Sequence, residues 1–153
     1  MIEIRPATAD DAATVHAMIQ AMSAGMALGK TATSTADDFR RHADAWAALI
    51  AWDGGEAVGL CLHFPSFSSW RGRVGVYIQD LYVAPRARGT GLARALLAAA
   101  VRRTGAAYLR LSVDRANGAA RRFYEREGLS PAADERIYVI EGDALARLKG
   151  DEG

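Results

Sequence analysis

The chain has 153 residues, 50% hydrophobic and 24% charged, with 19 lysines and arginines against 18 aspartates and glutamates and a formal net charge of +1. That length suits one domain around one core, and the near-neutral balance excludes binding of nucleic acid or an anionic membrane through bulk charge. A single cysteine, Cys61, excludes an internal disulfide, no apolar run approaches the roughly 18 residues of a membrane span, and the start M-I-E-I-R-P lacks a signal-peptide pattern, so a cytoplasmic protein is expected.

Residues 2–5 alternate apolar and polar up to Pro6, which predicts a short first strand. Thr8, Asp10 and Asp11 offer N-caps to a helix over 12–22, where Val15, Met18, Ile19 and Met22 recur at helical spacing. The small-residue stretch 23–35 reads as a loop, and Ser34 or Thr35 caps a helix over 36–45 with Asp37 and Asp38 in its first turn. Strands follow at 46–52 and 56–64, joined by the hairpin turn Asp53-Gly54-Gly55. Residues 67–75 form a loop carrying Trp70, Arg71 and Arg73, and 76–83 a strand. After the turn 84–91 comes a helix over 91–104, with Leu92, Leu96, Leu97 and Val101 inward, Arg102 and Arg103 at its C-terminal end and Gly105 as its stop. Residues 107–113 are a strand, Asn117 caps a helix that ends at Gly128, 136–141 form a last strand, 143–148 a short helix and 149–153 a loose tail. With no repeat or linker, the pattern predicts a single mixed α/β domain over residues 1–153.

The segment Y-I-Q-D-L-Y-V-A-P-R-A-R-G-T-G-L-A-R carries the chemistry. A strand runs into Arg86-Ala87-Arg88-Gly89-Thr90-Gly91, where a helix begins. A helix N-terminus presents unpaired N–H donors and about half a positive charge. Glycines ahead of it let a phosphate approach the backbone, and the arginines add charge, so the turn suits a diphosphate; a glycine-capped helix start with solvated arginines is the other reading. It is not a P-loop, because no Gly-Lys-Ser/Thr follows, and it is not the dinucleotide fingerprint, because Arg94 stands where the third glycine belongs.

The run R-x-x-G-x-G at residues 86–91 resembles the signature of the GCN5-related N-acetyltransferases (GNAT). The segment N-G-A-A-R-R-F-Y-E-R-E-G-L at 117–129 resembles the next helix of that family, and order and spacing agree over residues 2–141. The resemblance implies an α/β (α+β) GNAT fold: a central, mostly antiparallel mixed sheet of about six to seven strands, about four flanking helices, and a splayed strand pair holding the coenzyme. It implies an acetyl-CoA-dependent N-acetyltransferase acting by direct attack in a ternary complex. Carried over, Arg86, Arg88, Gly89, Thr90, Gly91, Leu92, Ala93 and Arg94 hold the diphosphate. The strand backbone at Leu81, Tyr82 and Val83 pairs with the pantetheine arm and polarises the thioester carbonyl. Asn117 and Ala120 also touch the coenzyme, and Tyr124 protonates the departing thiolate. Packing against Phe123 is the other reading of Tyr124.

The run F-S-S-W-R-G-R-V-G-V-Y-I-Q-D-L-Y-V and the ending R-I-Y-V-I-E-G-D-A-L are similar to a diamine/thialysine acetyltransferase-like subgroup. That implies a small primary amine as acceptor, a polyamine, lysine analogue or aminoglycoside-like compound, and a homodimer. The subgroup carries a glutamate where this chain has Gln79, and glutamine accepts no proton. Gln79 is therefore read as orienting water or the amine, with Asp80 or bulk water taking the proton. His63 is a second candidate base. Trp70 and Tyr77 offer cation–π surfaces and Asp80 a counter-charge to an alkylammonium, and the acceptor pocket draws also on the loop 25–33 and the segment 67–73; Trp70 as a dimer contact is the alternative. No metal is expected, because no His/Cys/Asp cluster has ligand spacing. A non-catalytic acyl-CoA-binding module and a protein or peptide acetyltransferase are the competing functions.

Overall fold

A computed structural model describes residues 1–26 and 30–150. The chain divides into two compact units, Met1–Arg121 and Arg122–Gly153.

The first unit is built on strands β1 (Ile2–Pro6), β2 (Ala47–Asp53), β3 (Glu56–Ser68), β4 (Arg73–Val83) and β5 (Leu109–Leu111). They form one sheet in the order β1-β2-β3-β4-β5, antiparallel except for the β4–β5 pair, which is parallel. The parallel step requires a crossover, and helix α3 (Leu92–Thr104) supplies it. Helix α1 (Ala12–Gly25) covers the opposite face: Val15, Met18 and Ile19 pack with Ala48, Ile50, Leu60 and Leu62 in a buried cluster. Helix α2 (Ala36–Arg41) follows α1, capped by Thr35, whose side-chain oxygen accepts from the Asp38 N–H while the Asp38 carboxylate accepts from the Thr35 N–H. The α3 face of the sheet is close-packed at Gly59, where a Cβ would stand 3.0 and 3.2 Å from Leu96 and Leu92.

Several boundaries differ from those expected. The 36–45 helix stops at Arg41 because His42 leaves helical geometry, and a separate 3₁₀ turn occupies Ala43–Ala45. The 67–75 loop is mostly hairpin: Phe67 pairs with Val74 and Ser68 with Arg73. At its base the Tyr108 ring lies over Gly75, where a Cβ would come within 2.4 Å of it, and the Tyr108 hydroxyl donates to the Ser66 carbonyl at 2.6 Å.

The second unit contains most of α4 (Gly118–Arg126) and all of α5 (Gly142–Lys149). Five strands therefore replace the expected six to seven, and five α-helices the expected four, among the described residues. The missing strand is 136–141, whose backbone is irregular; Ile137, Tyr138 and Val139 are 76, 90 and 78% exposed. A β-branched and aromatic run has strand propensity, but propensity becomes a strand only with a ladder partner. No helix among the described residues is long and apolar enough to cross a membrane.

Candidate active site

β4 pairs with β3 from Arg73 to Val83, Gln79 excepted, but with β5 only at Val76, Tyr77 and Ile78. β5 ends at Leu111, opposite Ile78, and from Gln79 to Val83 the β5-facing edge of β4 has no ladder partner among the described residues. The Tyr77 hydroxyl pins the fork at its apex, 2.7 Å from Ser112 Oγ just past β5. That unpaired stretch leads directly to the glycine turn.

At the same place β4 carries a bulge. Leu62 pairs with Asp80 and His63 with Ile78, so Gln79 is an extra residue without a partner on β3. The bulge resets the alternation. Side chains directly opposite across a ladder share a face. Asp80 (opposite Leu62), Tyr82 (opposite Leu60) and Tyr77 (opposite Phe64) therefore all lie on the α1 face. Tyr77 stacks on Phe64 at 4.9 Å between ring centroids. Gln79 is exposed, and Asp80 is half-buried, its carboxyl raised above the usual carboxylate range by burial.

His63, opposite Ile78, occupies the other face. It is buried, with Nδ1 3.1 Å from the Cys61 carbonyl, and so is separated by the sheet from Asp80. Cys61 is wholly buried, and desolvation, with the charge of Asp80 second, pushes its thiol up to about 12. A thiol in that state is no nucleophile. Trp70 is 99% exposed in the β3–β4 turn. Asp80 stands seven residues beyond the start of β4, about 23 Å along the strand. The structure does not bring Trp70 and Asp80 together.

Past Val83 the chain takes a 3₁₀ turn, Pro85–Ala87, then Gly89 and Gly91 at φ 76° and 82°, and then α3. Only glycine adopts those angles without strain, and a Cβ built on either meets nothing within 4 Å. The ground above the turn is open. The first helical hydrogen bond runs from the Ala95 N–H to the Gly91 carbonyl, so the N–H groups of Leu92, Ala93 and Arg94 lie ahead of the ladder. The Thr90 hydroxyl donates to the Ala87 carbonyl at 2.6 Å, and Arg88 Nε to the Val83 carbonyl at 3.0 Å. Arg86 points elsewhere, to Asp53 and Glu56 at the β2–β3 turn.

Asn117 heads α4, its Oδ1 accepting from the Ala120 N–H at 3.2 Å, as the cap reading requires. Just before it, Asp114 accepts from the Ala116 N–H and pairs with Lys30 at 3.3 Å. Tyr124 belongs to the second unit, where it is half-buried with its ring 5.3 Å from that of Phe123. The proposed pocket loop 25–33 falls partly outside the described residues. Phe64 and Ser112 were not legible as site residues, because their link to Tyr77 depends on strand register. Among the described residues no group of three or more His, Cys, Asp or Glu could hold a metal ion.

Residues 17–129 match the model of the acetyltransferase (GNAT) family. Thialysine N-epsilon-acetyltransferase of Bos taurus is 33% identical over 99 residues, covering 61% of this chain and 58% of that protein. The match thus spans less than two thirds of that relative. Among solved structures, an integron cassette protein from the mobile metagenome of V. cholerae has a TM-score of 0.78 at 19% identity, covering 98% of both chains. Aminoglycoside N-acetyltransferase AAC(6')-Iy in complex with CoA has a TM-score of 0.72 at 17% identity, covering 93% of this chain and 95% of that one. At those identities the two structures share the fold.

Proposed function

We infer that this chain, which belongs to the GNAT family of acetyltransferases, transfers an acetyl group from acetyl-CoA to a small primary amine by direct attack in a ternary complex. The observation that carries the reading is the fork: the β4–β5 ladder ends at Ile78, and β4 runs on into a turn whose two positive-φ glycines precede the N–H groups that lie ahead of the α3 ladder. Acetyl-CoA is a substrate here and supplies a thioester carbonyl.

The turn fits a diphosphate because open ground lies over both glycines. Arg88, Gly89, Thr90, Gly91, Leu92, Ala93 and Arg94 hold it, and Asn117 and Ala120 complete the coenzyme site. Residues 81–83 offer main-chain donors and acceptors to the pantetheine arm, and one of their N–H groups steadies negative charge on the carbonyl oxygen. A primary alkylammonium of pKa about 10 needs about 4 kcal/mol to lose its proton at pH 7. Asp80 is the acceptor for that proton: its carboxylate gives the bound ammonium a counter-charge and, with its pKa raised by burial, is a stronger base than an exposed aspartate. Tyr77 and Phe64 line the same face, and Gln79 orients water or the amine. The small-amine class rests on the thialysine enzyme's name and on this counter-charge. A homodimer in the cytoplasm belongs to the same proposal.

Release of CoA thiol with thialysine, polyamines and aminoglycosides tests the reading. Coenzyme binding with no turnover on any amine, and no acetylated partner protein, would instead mark an acyl-CoA-binding module. With an acceptor in hand, Tyr124→Phe is expected to lower kcat about tenfold at pH 7, a modest loss because a thiol of pKa about 8.5 leaves readily. An unchanged kcat leaves Tyr124 with packing alone. Gln79→Glu is expected to raise kcat/KM at pH 7 by about fivefold, by adding a second proton acceptor beside Asp80. No gain with a validated amine removes position 79 from the proton's route.

A further inference from the structure

We propose that Arg86, the first residue of the R-x-x-G-x-G run, is a positioning residue: through Asp53 and Glu56 it clamps the diphosphate turn to the β2–β3 hairpin and does not touch the coenzyme. The inference rests on the coenzyme site proposed above. Three nitrogens of the guanidinium are engaged at once. Nη1 donates to Asp53 Oδ2 at 2.8 Å, Nη2 to Glu56 Oε2 at 3.0 Å and Nε to Glu56 Oε1 at 3.4 Å, a forked contact on one carboxylate and a single one on the other. The hydrogen bond from Arg86 holds the Asp53 carboxyl below its ordinary value.

The connection continues into the turn. Arg86 is the middle residue of the 3₁₀ turn Pro85–Ala87, whose start is fixed by the Ala84 N–H on the Val58 carbonyl. The turn's last residue, Ala87, is buried, and its carbonyl accepts the Thr90 hydroxyl. Thr90 sits between the two positive-φ glycines. Hairpin, Arg86, Ala87, Thr90 and the start of α3 thus form one linked series. Because the ion pairs are exposed, they contribute little to folding, and their loss leaves a folded chain whose turn is less ordered.

Two ways of releasing the clamp separate positioning from contact. Calorimetry with CoA needs no acceptor and reads the site alone. Arg86→Ala and the double variant Asp53→Asn/Glu56→Gln are both expected to weaken CoA binding by about fivefold, and the triple variant by no more than either, because all three remove one linkage. Melting temperatures near the wild-type value show that the change is in the site and not in folding. If Arg86 instead contacts phosphate, Arg86→Ala weakens binding while the carboxylate double variant leaves it unchanged or tightens it by freeing the guanidinium; that pattern overturns the proposal. So does unchanged affinity in every variant. A wild-type chain that binds no CoA fails at the first titration and takes the coenzyme site down as well, an outcome distinct from any difference among variants.

Discussion

Asp80→Asn lowers kcat/KM for the best amine acceptor by about a hundredfold at pH 7 and removes the carboxylate limb of its pH profile. The bulge at Gln79 puts Asp80 on the α1 face with Tyr77 and Tyr82, half-buried. Burial raises its pKa, so the ionised, active form is lost as pH falls, at a pH above that of an exposed aspartate. In the wild type the rate therefore falls on the acid side for two reasons, the amine and the carboxylate. In Asp80→Asn only the amine's own titration remains. Stability moves the opposite way. A carboxyl whose folded pKa lies above its unfolded value favours the fold when protonated, and that contribution disappears as pH rises through the folded pKa. Asp80→Asn is thus expected to melt higher than the wild type at pH 7, with the gap closing once the pH falls below the ordinary carboxylate value. Loss of rate together with loss of stability at pH 7 would show that Asp80 serves folding and not proton transfer.

Gly91→Val raises the Kd for CoA by about a hundredfold while the chain still folds. Gly91 stands at φ 82° immediately before α3, where a β-branched residue is a conformational outlier. No protein atom lies within 4 Å of a Cβ built there, so packing tolerates the side chain. The strain of about 1–2 kcal/mol is relieved by rotation of the turn, which re-aims the N–H groups that precede the helix ladder, and the new side chain stands where the diphosphate belongs. A drop of only about 2–8 °C in melting temperature separates this from unfolding. Wild-type affinity in Gly91→Val, measured by calorimetry, places the diphosphate elsewhere.

Much of this site could be read in advance from short-range chemistry. A strand, two glycines and a helix start are local, and so are the Asn117 cap and the stop at Gly105. The fork is implied by the family resemblance, but no local pattern places it, because its position depends on β5 being three residues long and not the seven expected over 107–113. Nor could the bulge be read: simple alternation sets Tyr77 and Asp80, three residues apart, on opposite faces, and the one residue unpaired against β3 brings them to the same face. The same holds for His63, a neighbour of the site by strand order but on the far side of the sheet from Asp80. Arg86 carried the family signature, yet its partners lie 33 and 30 residues earlier in a hairpin turn, beyond any local pattern. The run 136–141 shows the reverse case, strong strand propensity with no ladder.

A crystal structure of the chain with CoA tests the central claim most directly. The prediction is a diphosphate within about 3 Å of the main-chain N–H groups of residues 89–93, with the pantetheine arm lying along residues 81–83 in the fork between β4 and β5. A coenzyme bound away from that turn, or with its diphosphate held by side chains of another element, would contradict it.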